Sequence, residues 1–171
     1  MRSTGVVRRW PCLIDVKRVR ADEWQVIRDV RLRALADAPE AFATTHAEAA
    51  ARPDDWWRDW AERSAVDAGM AMFLAREGGE PVGIGGVVGD QDRFDVISMW
   101  TEPDHRGKGI ASALLQAAVA FAGNAPVFLS VTEGNDHARR LYERHGFAAT
   151  GVSEPLRSNP RLAMHELRLV R

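Results

Sequence analysis

Residues 103–115 read PDHRGKGIASALL, and they restrict the chain more than any other stretch. Gly107 and Gly109 stand one residue apart, interleaved with two cations, Arg106 and Lys108. Glycines this close weaken any helix or strand that contains them, so the pair marks a turn. Directly after it, Ile110, Leu114, Leu115, Ala118 and Phe121 fall on one stripe of a helix. Before it, RFDVISMWT (93–101) has the composition of a strand, which Pro103 closes. The chain must therefore leave a strand, pass a glycine turn and start a helix within a dozen residues.

A helix N-terminus presents unpaired N–H groups and about half a positive charge, which favours an anion. Glycine lets a ligand approach the backbone, and Arg106 and Lys108 supply donors for phosphate oxygens. The stretch reads as a pyrophosphate cradle. A P-loop of the GxxxxGK[ST] type does not fit, because Glu102 occupies the first glycine position and Gly109 the Ser/Thr position. A dinucleotide fingerprint would use Gly107, Gly109 and Ser112, with Glu133 at the distance of a ribose-binding acid. It stays open as a rival, although residues 102–106 separate the strand from the first glycine and that motif turns directly off its strand.

The remaining chain supplies partners for this unit. LIDVKRV (13–19) alternates as a first strand, and a helical stripe of Trp24, Ile27, Val30 and Ala34 follows it to Pro39. Asp22 with Gln25 has capping-box spacing. RPDDWWRDWAERSA (52–65) predicts a second helix, and MAMFLARE (70–77) with PVGIGGVVGD (81–90) a strand hairpin. PVFLSVT (126–132) reads as a buried strand and NDHARRLYERHG (135–146) as a helix stopped by Gly146 in the left-handed region. FAATGVS (147–153) and RLAMHELRLV (161–170) close as strands. The order βααβββαβαββ predicts an α/β (α+β) fold, a mixed sheet covered by helices. It forms one domain over residues 13–171 after a short extension, residues 1–12.

Composition narrows the function classes. A net charge of -1 across 171 residues leaves no global field for nucleic acid or an anionic membrane. The single cysteine, Cys12, allows no internal disulfide and no cysteine-based zinc site, and the five histidines lack ligand spacing, so no metal is expected. No apolar run approaches the ~18 residues of a membrane span, and the Arg-rich start lacks a signal-peptide core. The expected setting is the cytoplasm.

Arg106-x-x-Gly109-x-Ala111 fits the pattern R/Q-x-x-G-x-G/A. About 25 residues on, LSVTEGNDHARRLYERHGFAATG (129–151) brings Asn135, Ala138, Leu141, Tyr142, Gly146 and Phe147 at fixed spacings. Together these blocks resemble the GNAT superfamily of acyl-CoA-dependent N-acetyltransferases, sharply over 94–151 and in element order over 13–170. RLRALADAPEAF and PLRSNP also look like one bacterial branch of it. The resemblance implies a mostly antiparallel central sheet whose strands at 94–101 and 127–132 splay apart to hold acetyl-CoA as co-substrate. It further implies that a bulge frees the backbones of Met99, Trp100 and Thr101 for the pantetheine arm. The amides of Arg106, Gly107, Lys108, Gly109, Ile110 and Ala111 would take the pyrophosphate, with Ser112 in reach and Asn135 on the pantetheine. Tyr142, the one tyrosine in the chain, aligns with the general acid.

The general base stays open between Asp95, Glu133 and water. Phe42, Trp56, Trp57 and Trp60 are candidates to line an acceptor site, or to pack helices. Lys17, Arg18 and Arg20 read as a solvated basic edge. The expected partner is a small-molecule or peptide amine, with a homodimer possible within the family. An acyl-CoA-sensing domain without turnover is the non-enzymatic alternative, and the dinucleotide-binding oxidoreductase the third.

Overall fold

The computed structural model describes residues 14–171; the extension expected at residues 1–12, with Cys12, lies outside them. Seven strands form one sheet in the order β1-β2-β3-β4-β5-β7-β6. They are β1 (Ile14–Arg18), β2 (Met70–Glu77), β3 (Glu80–Gly89), β4 (Phe94–Thr101), β5 (Val127–Thr132), β6 (Phe147–Leu156) and β7 (Asn159–Leu169). Every neighbouring pair is antiparallel except β4 and β5, which run parallel. The expected mixed, mostly antiparallel sheet is the observed one.

Helices cover both faces. α1 (Trp24–Asp37), α2 (His46–Ala50) and α3 (Asp54–Val66) pack on one, around Ile27, Val30, Trp57, Met72, Leu74 and Ile84. α4 (Ile110–Ala122) and α5 (Asp136–Arg144) pack on the other, around Phe73, Val87, Leu114, Leu115, Leu129 and Leu141. β2 is apolar over most of its length because each alternate residue feeds one of these two cores, as in strands covered on both sides. The glycines of β3 let α4 come close. A Cβ on Gly83 would stand 2.9 Å from Ile110 Cγ2 and 3.1 Å from the Trp100 carbonyl oxygen.

Three local expectations change. Asp22 does not cap α1: the chain enters a 3-10 turn at Ala21, the Glu23 carboxylate accepts the Arg20 amide at 2.8 Å, and Asp22 faces the Arg20 guanidinium. The short helix α2 is additional, and its signal was present. Thr45 accepts from the Glu48 amide at 3.2 Å while Glu48 accepts from the Thr45 amide at 2.8 Å, a capping box. Arg18 is no solvated edge either. Its guanidinium donates to the carbonyls of Ser64, Asp67 and Met70 at 2.7–2.8 Å and satisfies the C-terminal end of α3. Gly146 follows the end of α5 at φ 87°, in the expected left-handed region.

Candidate active site: a glycine turn beside a split sheet

Gly107 and Gly109 both have left-handed backbones, at φ 77° and 81°, and beyond their chain neighbours no atom of the described residues lies within 4 Å of where their Cβ atoms would be. Glycine is thus required by the backbone, and the space above it is open. Gly109 caps α4 without a side-chain acceptor. The amides of Gly107, Lys108, Gly109, Ile110, Ala111 and Ser112 meet no protein acceptor among the described residues, whereas the Arg106 amide bonds the Pro103 carbonyl at 3.2 Å. Of the amides expected to serve an anion, that of Arg106 is thus engaged within the turn, while those of Gly107 to Ala111, with Ser112 beside them, are free.

The flanking side chains are also engaged. The Arg106 guanidinium pairs with Asp37 at the end of α1 and donates to the Thr101 carbonyl at 3.2 Å. Asp37 accepts the Trp100 indole N–H at 2.8 Å as well. Arg106 thereby fixes the turn against α1 and β4 rather than pointing freely at a ligand. Lys108 stands 3.6 Å from Glu77, which also meets His105 at 2.9 Å, but its side chain remains 45% exposed and able to swing. The Ser112 hydroxyl shares a 3.0 Å hydrogen bond with His145 Nε2, tying α4 to the end of α5.

β4 and β5 pair only at Phe94–Val127 and Asp95–Phe128. Beyond that they diverge, so a V opens toward the glycine turn. On its other edge β4 is bulged against β3. The register passes from Gly86–Ile97 to Ile84–Trp100, setting Ser98 and Met99 against Gly85 alone. Ser98 takes φ 61°, the one non-glycine residue with positive φ among those described. The bulge was expected over Met99, Trp100 and Thr101; it falls one residue earlier, and Trp100 and Thr101 keep ladder partners in Ile84 and Gly83. The extra residue inverts the alternation. Phe94 and Val96 face α4, but after the bulge Met99 does so, and Trp100 turns to α1, where Asp37 receives it.

Two residues of the second block belong to α5, the helix that follows β5. Asn135 caps α5, its side-chain oxygen accepting the Ala138 amide at 3.3 Å, and its carboxamide N–H groups have no partner among the described residues. Tyr142 is buried on α5 with its ring 6.2 Å from that of Phe147. Burial pushes its phenol up to about 12, and the hydroxyl has no hydrogen-bond partner among the described residues. Tyr142 therefore stays protonated across the physiological range with its donor free.

On the α1/α3 face the V opens into a cavity of about 450 Å³. Phe42, Trp56, Trp57 and Trp60 line it, as do Ser98, Ser130 and Asp95 from the diverging strands. The tryptophans also pack α3: Trp57 is fully buried, and the three rings lie 5.0–5.7 Å apart. Asp95 is held by Arg93 through both carboxylate oxygens at 2.6–2.8 Å. Arg31 and Arg52 complete the wall, and nothing in their local sequence marked them.

A family model described as the acetyltransferase (GNAT) family matches residues 31–147. A probable N-acetyltransferase of Mycobacterium tuberculosis is 28% identical over 102 residues, covering 58% of this chain and 59% of the relative. The chain thus spans about three fifths of the length of the curated relatives it matches first. A GNAT-family acetyltransferase from Streptococcus pneumoniae shares the fold at a TM-score of 0.75 and 16% identity, over 91% of this chain and 98% of that one. YncA of Salmonella typhimurium, solved with its cofactor acetyl-CoA, does so at 0.74 and 19%, over 92% and 93%. The matched stretch begins on α1 and ends at the start of β6, so it contains the glycine turn, the split sheet and Tyr142: the chain belongs to the GNAT acetyltransferase family.

Proposed function

We propose that the protein is an acetyl-CoA-dependent N-acetyltransferase whose acceptor amine attacks the thioester directly. The observation that carries this reading is the run of six unclaimed amides, Gly107 to Ser112, beside a V that only two residue pairs hold closed at its base. Donors aimed into open space at a helix N-terminus suit a pyrophosphate, and the bare faces of Gly107 and Gly109 admit it. The bound co-substrate supplies an acetyl group already activated as a thioester.

The chain's own groups do the rest. The backbone of Met99, which the bulge takes out of register, is the donor we assign to the developing oxyanion. The free carboxamide N–H of Asn135 holds the pantetheine arm, and Lys108 swings from Glu77 to the phosphates. As the N–C bond forms and the C–S bond breaks, the amine loses one proton and the leaving sulfur requires one. Tyr142 presents its phenol to that sulfur. A phenol raised to about 12 does not readily surrender its proton to a thiolate of ordinary pKa ~8.5, so its contribution is a strong hydrogen bond to the developing charge, and the departing thiolate takes its proton from water. Asp95 is occupied by Arg93, which leaves exposed Glu133, or water, to receive the amine proton.

We further read residues 13–171 as one catalytic domain working in the cytoplasm; no helix among the described residues is long and apolar enough to cross a membrane. The decisive experiment is calorimetric titration with acetyl-CoA and with NADH, followed by thiol release on adding a panel of amines. Binding of acetyl-CoA with amine-dependent thiol release is expected. Binding of NADH alone would transfer the same cradle to a different reaction. Tyr142→Phe should lower kcat by about 10²-fold or more with acetyl-CoA affinity unchanged; unchanged kcat would remove Tyr142 from the mechanism.

A further inference from the structure

The acceptor cavity carries two arginines with no anion to meet them. Arg31 on α1 lies over the Phe42 ring at 4.4 Å, and Arg52 lies over the Trp56 ring at 3.7 Å. Stacking on aromatic faces orients a guanidinium while leaving its in-plane N–H groups for a ligand. Arg31 makes no hydrogen bond and no ion pair with any described residue, and its Nη1 is sealed from solvent without an acceptor. A half-buried guanidinium with one nitrogen sealed from water and unpaired is costly to keep. Burial and the charge of Arg52 together push the Arg31 pKa down to about 10, and no carboxylate among the described residues offsets them.

Nothing else on the wall relieves it. Asp95 is the one carboxylate lining the cavity among the described residues, and Arg93 holds both its oxygens. Glu48 is near Arg52 but is claimed by Arg157 through two bonds of 2.8–3.0 Å. Thr44, Ser98 and Ser130 are neutral. Trp56, Trp57, Trp60 and Met164 supply apolar lining.

We propose that the acceptor is an amino-acid-type amine, whose carboxylate is bound between Arg31 and Arg52 while its amine faces Ser98 at the open V and its apolar body lies on Trp56 and Trp60. A planar carboxylate matches the guanidinium fork in two parallel bonds, and it supplies the acceptor that no group among the described residues gives Arg31. A polyamine or a lysine side chain would add a further cation to a cavity that already holds two. The proposal rests on the acetyltransferase reading, and its test keeps the two apart.

Acetyl transfer is measured with L-phenylalanine, L-phenylalaninamide and phenethylamine, which share a body and differ in the carboxylate. Binding of the product analogues N-acetyl-L-phenylalanine and N-acetyl-L-phenylalaninamide is followed in parallel by tryptophan fluorescence in the presence of CoA. The carboxylate member of each set should be preferred by at least ~30-fold, as for the loss of a charge-assisted pair worth about 2 kcal/mol. Arg31→Gln and, at the more accessible position, Arg52→Gln should each shrink that preference through KM, with acetyl-CoA affinity unchanged. Equal or better use of the amide or the amine overturns the assignment, as does failure of both product analogues to bind, or an undiminished preference in both variants. Absence of acetyl-CoA binding by the wild-type protein would instead count against the acetyltransferase reading itself.

Discussion

Ser98 concentrates the local cost of the site. A left-handed backbone disfavours an L-residue by about 1–2 kcal/mol, and at Ser98 that cost sustains the bulge that re-aims β4. Ser98→Gly should leave stability to urea within about 1 kcal/mol of wild type, because relief of strain and extra unfolded-state freedom offset each other. Ser98→Val should lose about 1–3 kcal/mol, because a β-branched side chain tolerates positive φ poorly. A Ser98→Val protein as stable as wild type would show the bulge to be unstrained. Tyr142 gives a pH signature of its own. Its phenol titrates near 10 in the unfolded chain and near 12 in the folded one, so its contribution is complete below pH 10 and lost as pH rises toward 12. Melting curves at pH 9, 10 and 11 should show an alkaline loss in wild type that exceeds the loss in Tyr142→Phe. Equal slopes would mean that the phenol is not buried in solution.

At the scale of elements, the order of strands and helices apart from α2 was legible because each long element carries its own period or stop: the stripe of α4, the two-sided β2, Gly146 after α5. The bulge was not placed correctly, because it depends on how Gly85 of β3 faces β4 and leaves no periodicity within β4 itself. The approach of α4 to β3 makes a matching prediction. Gly83→Ala would press a methyl on Ile110, the first residue of α4, and on a backbone oxygen that cannot yield as a side chain does. A loss of about 1–3 kcal/mol is expected, together with weaker acetyl-CoA binding in calorimetry, since the same turn of α4 carries the free amides. Normal affinity in a folded Gly83→Ala variant would separate the cradle from this packing. The Glu48–Arg157 pair fastens α2 to the β6–β7 turn, and hydrogen bonding to Arg157 holds the Glu48 carboxyl near 2. Its effect should be present above about pH 4.5 and vanish as pH falls toward 2, so the melting points of wild type and Arg157→Gln converge in acid.

Considered as a whole, the sheet consists of two antiparallel halves, β1–β4 and β5–β7, joined along the short parallel pairing of β4 and β5. Besides the two residue pairs between β4 and β5, they are bridged by side chains distant in sequence. Thr132 donates to the Glu40 carbonyl at 2.8 Å, Ser158 donates to that of Phe42 at 2.6 Å, and Arg93 pairs with Glu166 at 2.8 Å. Such contacts, like Arg106 with Asp37 or Arg31 with Phe42, join residues whose proximity only the finished fold creates, which is why the cavity's charge was invisible in the sequence while its glycine turn was plain. Saturating acetyl-CoA at ~100 times its dissociation constant should add about 2.7 kcal/mol to global stability. Hydrogen exchange should slow most along the diverging ends of β4 and β5, and uniform slowing across the sheet would argue that the halves already move as one. The split between β4 and β5 has a consequence beyond the proposed chemistry. If acetyl-CoA completes that seam, the protein resists proteases in proportion to the metabolite's supply, so its lifetime in a starved cell should shorten before its synthesis changes.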